Sequence, residues 1–112
     1  MNLTDETKNG VLVLSPQGRI DTRTSSEFEQ AVMAHAIGPV GATQVVMNFG
    51  GLDYINSTGM RVLLILAKRL AGVKGKLVLC EMKEHILEVF KISGFNQILT
   101  ITDTEADALQ RF

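Results

Sequence analysis

Two adjacent hydroxyls, Ser57 and Thr58, are the side chains in this sequence best placed for chemistry. Upstream of them, Gln44-Val45-Val46-Met47-Asn48-Phe49 is short, β-rich and closed by Gly50-Gly51, the composition of a buried strand. Downstream, Met60 to Ala71 contains neither proline nor glycine, and its residue types favour a helix. The hydroxyl pair therefore falls at a first helical turn, where free backbone N–H groups and the positive dipole end gather. A hydroxyl there can cap the helix. It can also carry a phosphate, an anion that such a helix end stabilises.

Other chemistries lack their parts. A serine hydrolase needs a nucleophile elbow and a base, and the chain has no G-x-S-x-G. His35 sits where a helix should end, and His85 lies among Lys83, Glu84 and Glu88 on a polar face. Gly50, Gly51 and Gly59 do not form a phosphate-cradling loop, and no metal-ligand cluster is spaced along the chain. Cys80 is the only cysteine, so an internal disulfide is excluded; its apolar neighbours Leu77-Val78-Leu79 predict a core thiol. The expectation is a non-enzyme without cofactor or metal.

The composition narrows the partners. Eleven basic against twelve acidic residues give a formal charge of −1, which argues against general nucleic-acid binding. The longest apolar run, Val62 to Ala67, is too short to cross a bilayer. The acidic start Met1-Asn2-Leu3-Thr4-Asp5-Glu6 lacks the apolar core of a signal peptide, so a cytoplasmic location without membrane insertion is expected. A chain of 112 residues predicts one domain, residues 1–112, with an aliphatic core, since only 5% of residues are aromatic.

The elements that must position the hydroxyls follow in order. Residues 2–8 form a polar edge strand, Asn9-Gly10 a hairpin turn, and Val11 to Pro16 a second strand, with Pro16 marking its end or an edge. Thr24-Ser25-Ser26-Glu27 has capping-box spacing and opens a helix through Phe28, Ala31, Val32 and His35, stopped by Gly38-Pro39. After the strand at 44–49 and the helix from Ser57, Gly72 and Gly75 bracket a turn into a strand over 77–81. A third helix spans Glu84 to Ser93 with Gly94 as its C-cap, and Phe95 to Ile101 reads as a last strand. Thr102-Asp103-Thr104-Glu105 repeats the capping-box spacing and opens a final helix. The result is an α/β fold with a mixed, mostly parallel sheet of about five strands and about four helices.

Asp53, Tyr54, Ile55, Asn56, Ser57, Thr58, Gly59 and Met60 resemble, in order and without gaps, the signature of the STAS domain of bacterial anti-sigma-factor antagonists. That signature runs acidic, aromatic, aliphatic, Asp/Asn/Ser, Ser, Ser/Thr, Gly, Leu/Met. Gly18-Arg19-Ile20-Asp21 resembles a second landmark of the family, before the first helix. One departure is Asn56, where many members carry Asp. The resemblance covers essentially the whole chain and implies helices packed on one face of the sheet. It makes Ser57, ahead of Thr58, the phosphorylated hydroxyl.

It further implies a partner-switching circuit. The unmodified protein binds an anti-sigma factor that is also a serine kinase, which frees the sigma factor. Phosphorylation ends the interaction, and a PP2C-type phosphatase resets it. The alternatives are the STAS subunit of a lipid-transport ABC system, a nucleotide-binding module, or a scaffold in which Ser57 only caps a helix. The docking residues expected are Asp21, Asn56, Ser57, Thr58, Gly59, Met60 and Arg61, on a protein that is monomeric when free. A helical wheel adds Ile65: Met60, Leu63, Leu66, Ala67 and Leu70 share the core side, whereas Ile65 falls among Arg61, Lys68 and Arg69.

Overall fold

The computed structural model describes residues 2–36 and 43–112. The elements are β1 (Asn2–Lys8), β2 (Val11–Ile20), α1 (Ser25–Ala36), β3 (Gln44–Asn48), β4 (Leu52–Ile55), α2 (Ser57–Gly72), β5 (Lys76–Cys80), α3 (Glu84–Ile92), β6 (Thr100–Ile101) and α4 (Glu105–Leu109). A 3-10 turn at Phe95–Gln97 separates α3 from β6. The Gly38-Pro39 stop signal lies outside the described residues.

Asn9 and Gly10 both take positive φ, 54° and 79°, as a two-residue turn of matching twist requires, and they set Lys8 opposite Val11. From that hairpin the sheet continues by parallel pairing in the order β1-β2-β3-β5-β6. β2, β3 and β5 are apolar on both faces, because both are covered. Leu12, Leu14, Val45, Met47, Leu77 and Leu79 meet α1 through Phe28 and Val32, α2 through Leu63 and Leu66, and α3 through Ile86 and Phe90. The alternate residues Val11, Val13, Val46, Val78 and Cys80 meet Ala108 and Leu109 of α4. One-face packing thus holds for α1–α3 only; α4 closes the opposite face. Cys80 is buried there as expected, and burial pushes its thiol up to about 12.

Three local expectations need correction. β2 does not stop at Pro16 but runs on to Ile20. It can do so because it changes partners: β3 pairs with Leu12–Leu14, whereas β4 pairs from Gly18 onward, so Pro16 lies between the two parallel ladders. The register shifts at Gly18, whose φ of +90° favours glycine, and its amide donates to Gly51 O at 3.0 Å. β4 itself was not expected as a strand.

Residues 95–101 supply only a two-residue strand. Phe95 turns inward to meet the Phe90 ring edge-on at 6.2 Å, and the amides of Ile98 and Leu99 both bond back to Phe95 O. Finally, the cap of α4 is Thr104, whose hydroxyl accepts from Asp107 N at 3.1 Å; Thr102 instead donates to Thr104 O.

Charged groups pin α4 to its face. Glu105 accepts from Lys8 Nζ at 2.6 Å and Asn48 Nδ2 at 3.0 Å, while its amide donates to Glu81 Oε2 at 2.8 Å. The Lys8 hydrogen bond, then Asn48, hold the Glu105 carboxyl below its usual value of 4.5. A lowered folded pKa contributes stability above the unfolded value that is lost as pH falls through the folded one. Lys8 is raised above 10.5, chiefly by its hydrogen bond to Glu105, so its share persists below 10.5 and is lost as pH climbs past the folded value. Glu105→Gln is therefore expected to flatten the acid limb of the stability–pH profile below about 4.5. An unchanged acid limb in urea titrations of that variant would show that Glu105 does not couple α4 to pH.

Candidate functional site

The start of α2 is built by its cap. Asn56 is extended, with φ −91° and ψ 176°, and its Oδ1 accepts from Gly59 N at 2.8 Å. Its own amide donates to Ile20 O at 2.8 Å, which brings the end of β2, and Asp21 after it, beside the helix start. Because Asn56 caps, Ser57 is released from that role. Ser57 and Thr58 are both exposed, and neither hydroxyl has a hydrogen-bond partner among the described residues. Of the four helices among the described residues, α1, α3 and α4 carry carboxylates in the first turn (Glu27, Glu84, and Glu105 with Asp107), whereas α2 has none. The positive end of its dipole is uncompensated by any side chain of its own.

Gly59 lets the helix start this close to the sheet. A Cβ on Gly59 would lie 2.6 Å from Ile20 Cγ2 and 2.9 Å from Ile55 Cγ1. Gly59 and Met60 are buried, so of the expected docking residues these two serve the interior and offer a partner no side-chain surface. Arg61 is exposed, one turn beyond Ser57.

Further along α2 the helix phase agrees with the wheel: Met60, Leu63, Leu66 and Leu70 are buried, and Val62 joins them. Ile65 is half-buried and stands outside the core cluster. Ile65→Glu is accordingly expected to abolish partner binding while moving the melting temperature by only a few degrees, about 1 kcal/mol at most for a side chain outside the core. Unchanged binding in a calorimetric titration would remove this flank from the interface.

β4, directly before Asn56, is clamped from both sides by Arg19, Lys83 and His85, contacts that the sequence did not reveal. The Arg19 guanidinium stacks on the Tyr54 ring at 4.5 Å from its centroid. On the other side, Lys83 pairs with the Asp53 carboxylate, and His85 Nε2 bonds to Asp53 O at 2.7 Å. The Lys83 hydrogen bond, then its charge, hold the Asp53 carboxyl below the usual range. Asp21 is likewise lowered, first by the Arg23 backbone N–H that reaches its Oδ1 at 3.0 Å. Asp53 in the motif was the available signal for a cation, but only the topology reveals Lys83 as its partner, thirty residues away.

Among the described residues, no group of His, Cys, Asp and Glu is placed to hold a metal ion. No described helix is long and apolar enough to cross a membrane.

Among the described residues, a six-stranded mixed sheet, three helices on one face and an Asn-capped hydroxyl pair at the start of the second helix define a family. Residues 2–108 match the STAS domain, and the chain belongs to that family. It is 39% identical, over all of its length and 95% of the relative, to BtrV of Bordetella bronchiseptica, which is named as an anti-sigma factor antagonist. An anti-sigma factor antagonist from Mycobacterium paratuberculosis superposes with a TM-score of 0.87 at 22% identity, covering 97% of this chain and 91% of that one. The Bacillus cell fate determinant SpoIIAA in its phosphorylated form superposes with a TM-score of 0.72 at 22% identity, covering 98% of each chain.

Proposed function

We propose that this protein is an anti-sigma factor antagonist whose α2 start docks on an anti-sigma factor with serine-kinase activity. Phosphorylation of Ser57 ends that docking, and a PP2C-type phosphatase restores it. The circuit operates in the cytoplasm without membrane insertion, and the free protein is a monomer. The names of the relatives support the antagonist role, and the phosphorylated SpoIIAA structure supports a phosphate on this fold. The observation that carries the reading is the exposed Ser57 hydroxyl, freed from capping by Asn56 at a helix end with no carboxylate of its own.

The geometry favours modification without refolding. A phosphate on Ser57 meets open backbone N–H groups and the dipole of its own helix. The Ser57 and Thr58 amides lie ahead of the capped Gly59 amide. Incubation with the anti-sigma factor kinase and ATP, followed by phosphopeptide mapping, tests the assignment. Phosphate is expected on Ser57; phosphate on Thr58 alone would overturn it.

A further inference from the structure

A cleft opens beside the docking site, on the far side of β4 from Lys83. It is an open depression of about 820 Å³ between the end of β2 and the start of α1, lined by Asn2, Gln17, Arg19, Asp21, Arg23 and Thr24 together with Gly18 and Gly51. Its one carboxylate is engaged: Asp21 Oδ1 accepts the Arg23 amide at 3.0 Å, and Oδ2 lies 3.7 Å from Arg19 Nε. The Thr24 hydroxyl is used internally too, donating to Arg19 O at 2.7 Å and accepting from Asp21 N at 3.0 Å.

What remains for a visitor is donors. The Arg23 side chain is exposed and has no ion pair among the described residues. Arg19 keeps its terminal N–H groups, because its stack on Tyr54 uses only the guanidinium face. The amides of Asn2 and Gln17 complete a wall with two cations, on a chain whose net charge is −1. An extended peptide with more than one carboxylate can reach both arginines at once.

We infer that this cleft receives an acidic segment of the protein that docks at Ser57, with the Arg19–Tyr54 stack joining the two surfaces. The inference rests on the docking reading above. Tyr54 lies on β4, directly before Asn56 and Ser57, so one partner can cover stack and switch together. Tyrosine and arginine at the centre of a contact are the residue types that carry binding energy, and an acidic segment makes the charge of the cleft complementary.

The test uses the full chain, ¹⁵N-labelled, titrated with an octapeptide of alternating Glu and Ser and with its Lys counterpart. The acidic peptide should shift the amides of Gly18, Arg19, Arg23 and Gly51, and roughly 0.5 M salt should remove the effect. Arg23→Glu should abolish the shifts and Arg23→Gln should weaken them, with the fold intact because the side chain is exposed. Against the anti-sigma factor itself, Arg23→Glu should bind at least about tenfold more weakly and with a smaller salt dependence.

Shifts centred elsewhere, or the same pattern from inorganic phosphate at equal concentration, overturn the peptide assignment. Wild-type affinity of Arg23→Glu for the anti-sigma factor overturns the inference even if phosphorylation of Ser57 still releases the partner. If the acidic peptide binds as expected but phosphorylated and unmodified protein bind the anti-sigma factor equally, the Ser57 switch fails instead.

Discussion

Phosphorylation of Ser57 is expected to lower affinity for the anti-sigma factor more than a hundredfold while the melting temperature moves by a few degrees at most. The two halves of this expectation have separate physical grounds. Within the free protein, Ser57 is exposed at a helix end with open amides and no neighbouring carboxylate in its turn, so the phosphate is locally accommodated. Once a partner covers it, the dianion must be desolvated, at several kcal/mol if it finds no cation. About 3 kcal/mol already exceeds a hundredfold in Kd.

Ser57→Asp should weaken binding less, because it adds a single charge. Ser57→Ala should bind normally and resist the kinase. Its effect on stability should be a few tenths of a kcal/mol, below the roughly 1 kcal/mol of a lost cap, because Asn56 makes the capping bond. Equal affinity of phosphorylated and unmodified protein, measured by isothermal titration, would rule out charge exclusion.

Gly59→Val should produce the largest loss of stability at the site, about 3 kcal/mol, at the upper end for overpacking a buried position. A first Cβ already meets Ile20 Cγ2 at 2.6 Å and Ile55 Cγ1 at 2.9 Å. Both isoleucines are β-branched and buried, on the two strands that hold the helix start, so neither can swing aside as a long side chain would. Gly59→Ala adds the same first contact but recovers about 1 kcal/mol of helix propensity, and should fall in between. Urea midpoints read both effects; a shift equivalent to less than 1 kcal/mol for the valine variant would mean that α2 can ride outward from β2 and β4.

Much of this was legible along the chain, and the failures have physical causes. Asn9-Gly10 announced its hairpin because the turn needs two positive φ values that few other residue pairs supply. The phase of α2 was legible because a long amphipathic helix repeats its pattern over several turns. β4 escaped because its burial runs inward, outward, outward, inward, without the alternation that marks a strand. The last strand was overextended because Phe95 is apolar for the sake of an aromatic contact, not a ladder.

In the final helix, Thr102–Glu105 and Thr104–Asp107 offer the same cap-to-acid spacing, and local sequence could not choose between them. At the helix start, spacing placed Ser57 and Thr58 in the first turn, whereas Asn56 entered through the family resemblance and its capping bond is read from the structure. The arms that hold β4, Arg19 and Lys83 with His85, act across the sheet and needed the strand order to be seen.

The neutral cap of α2 has a consequence for signalling fidelity. From Asn56 through Met60 the helix start contains no group that gains or loses a proton in water near neutrality. Its own charge is therefore the same in an acidified cell as in an alkaline one. A phosphoryl group on Ser57, as proposed, would change that charge by about −1.5 to −2 in one step. On the proposed reading, phosphorylation would be the one charge change at this helix start, whereas a carboxylate cap would place a permanent negative charge beside it.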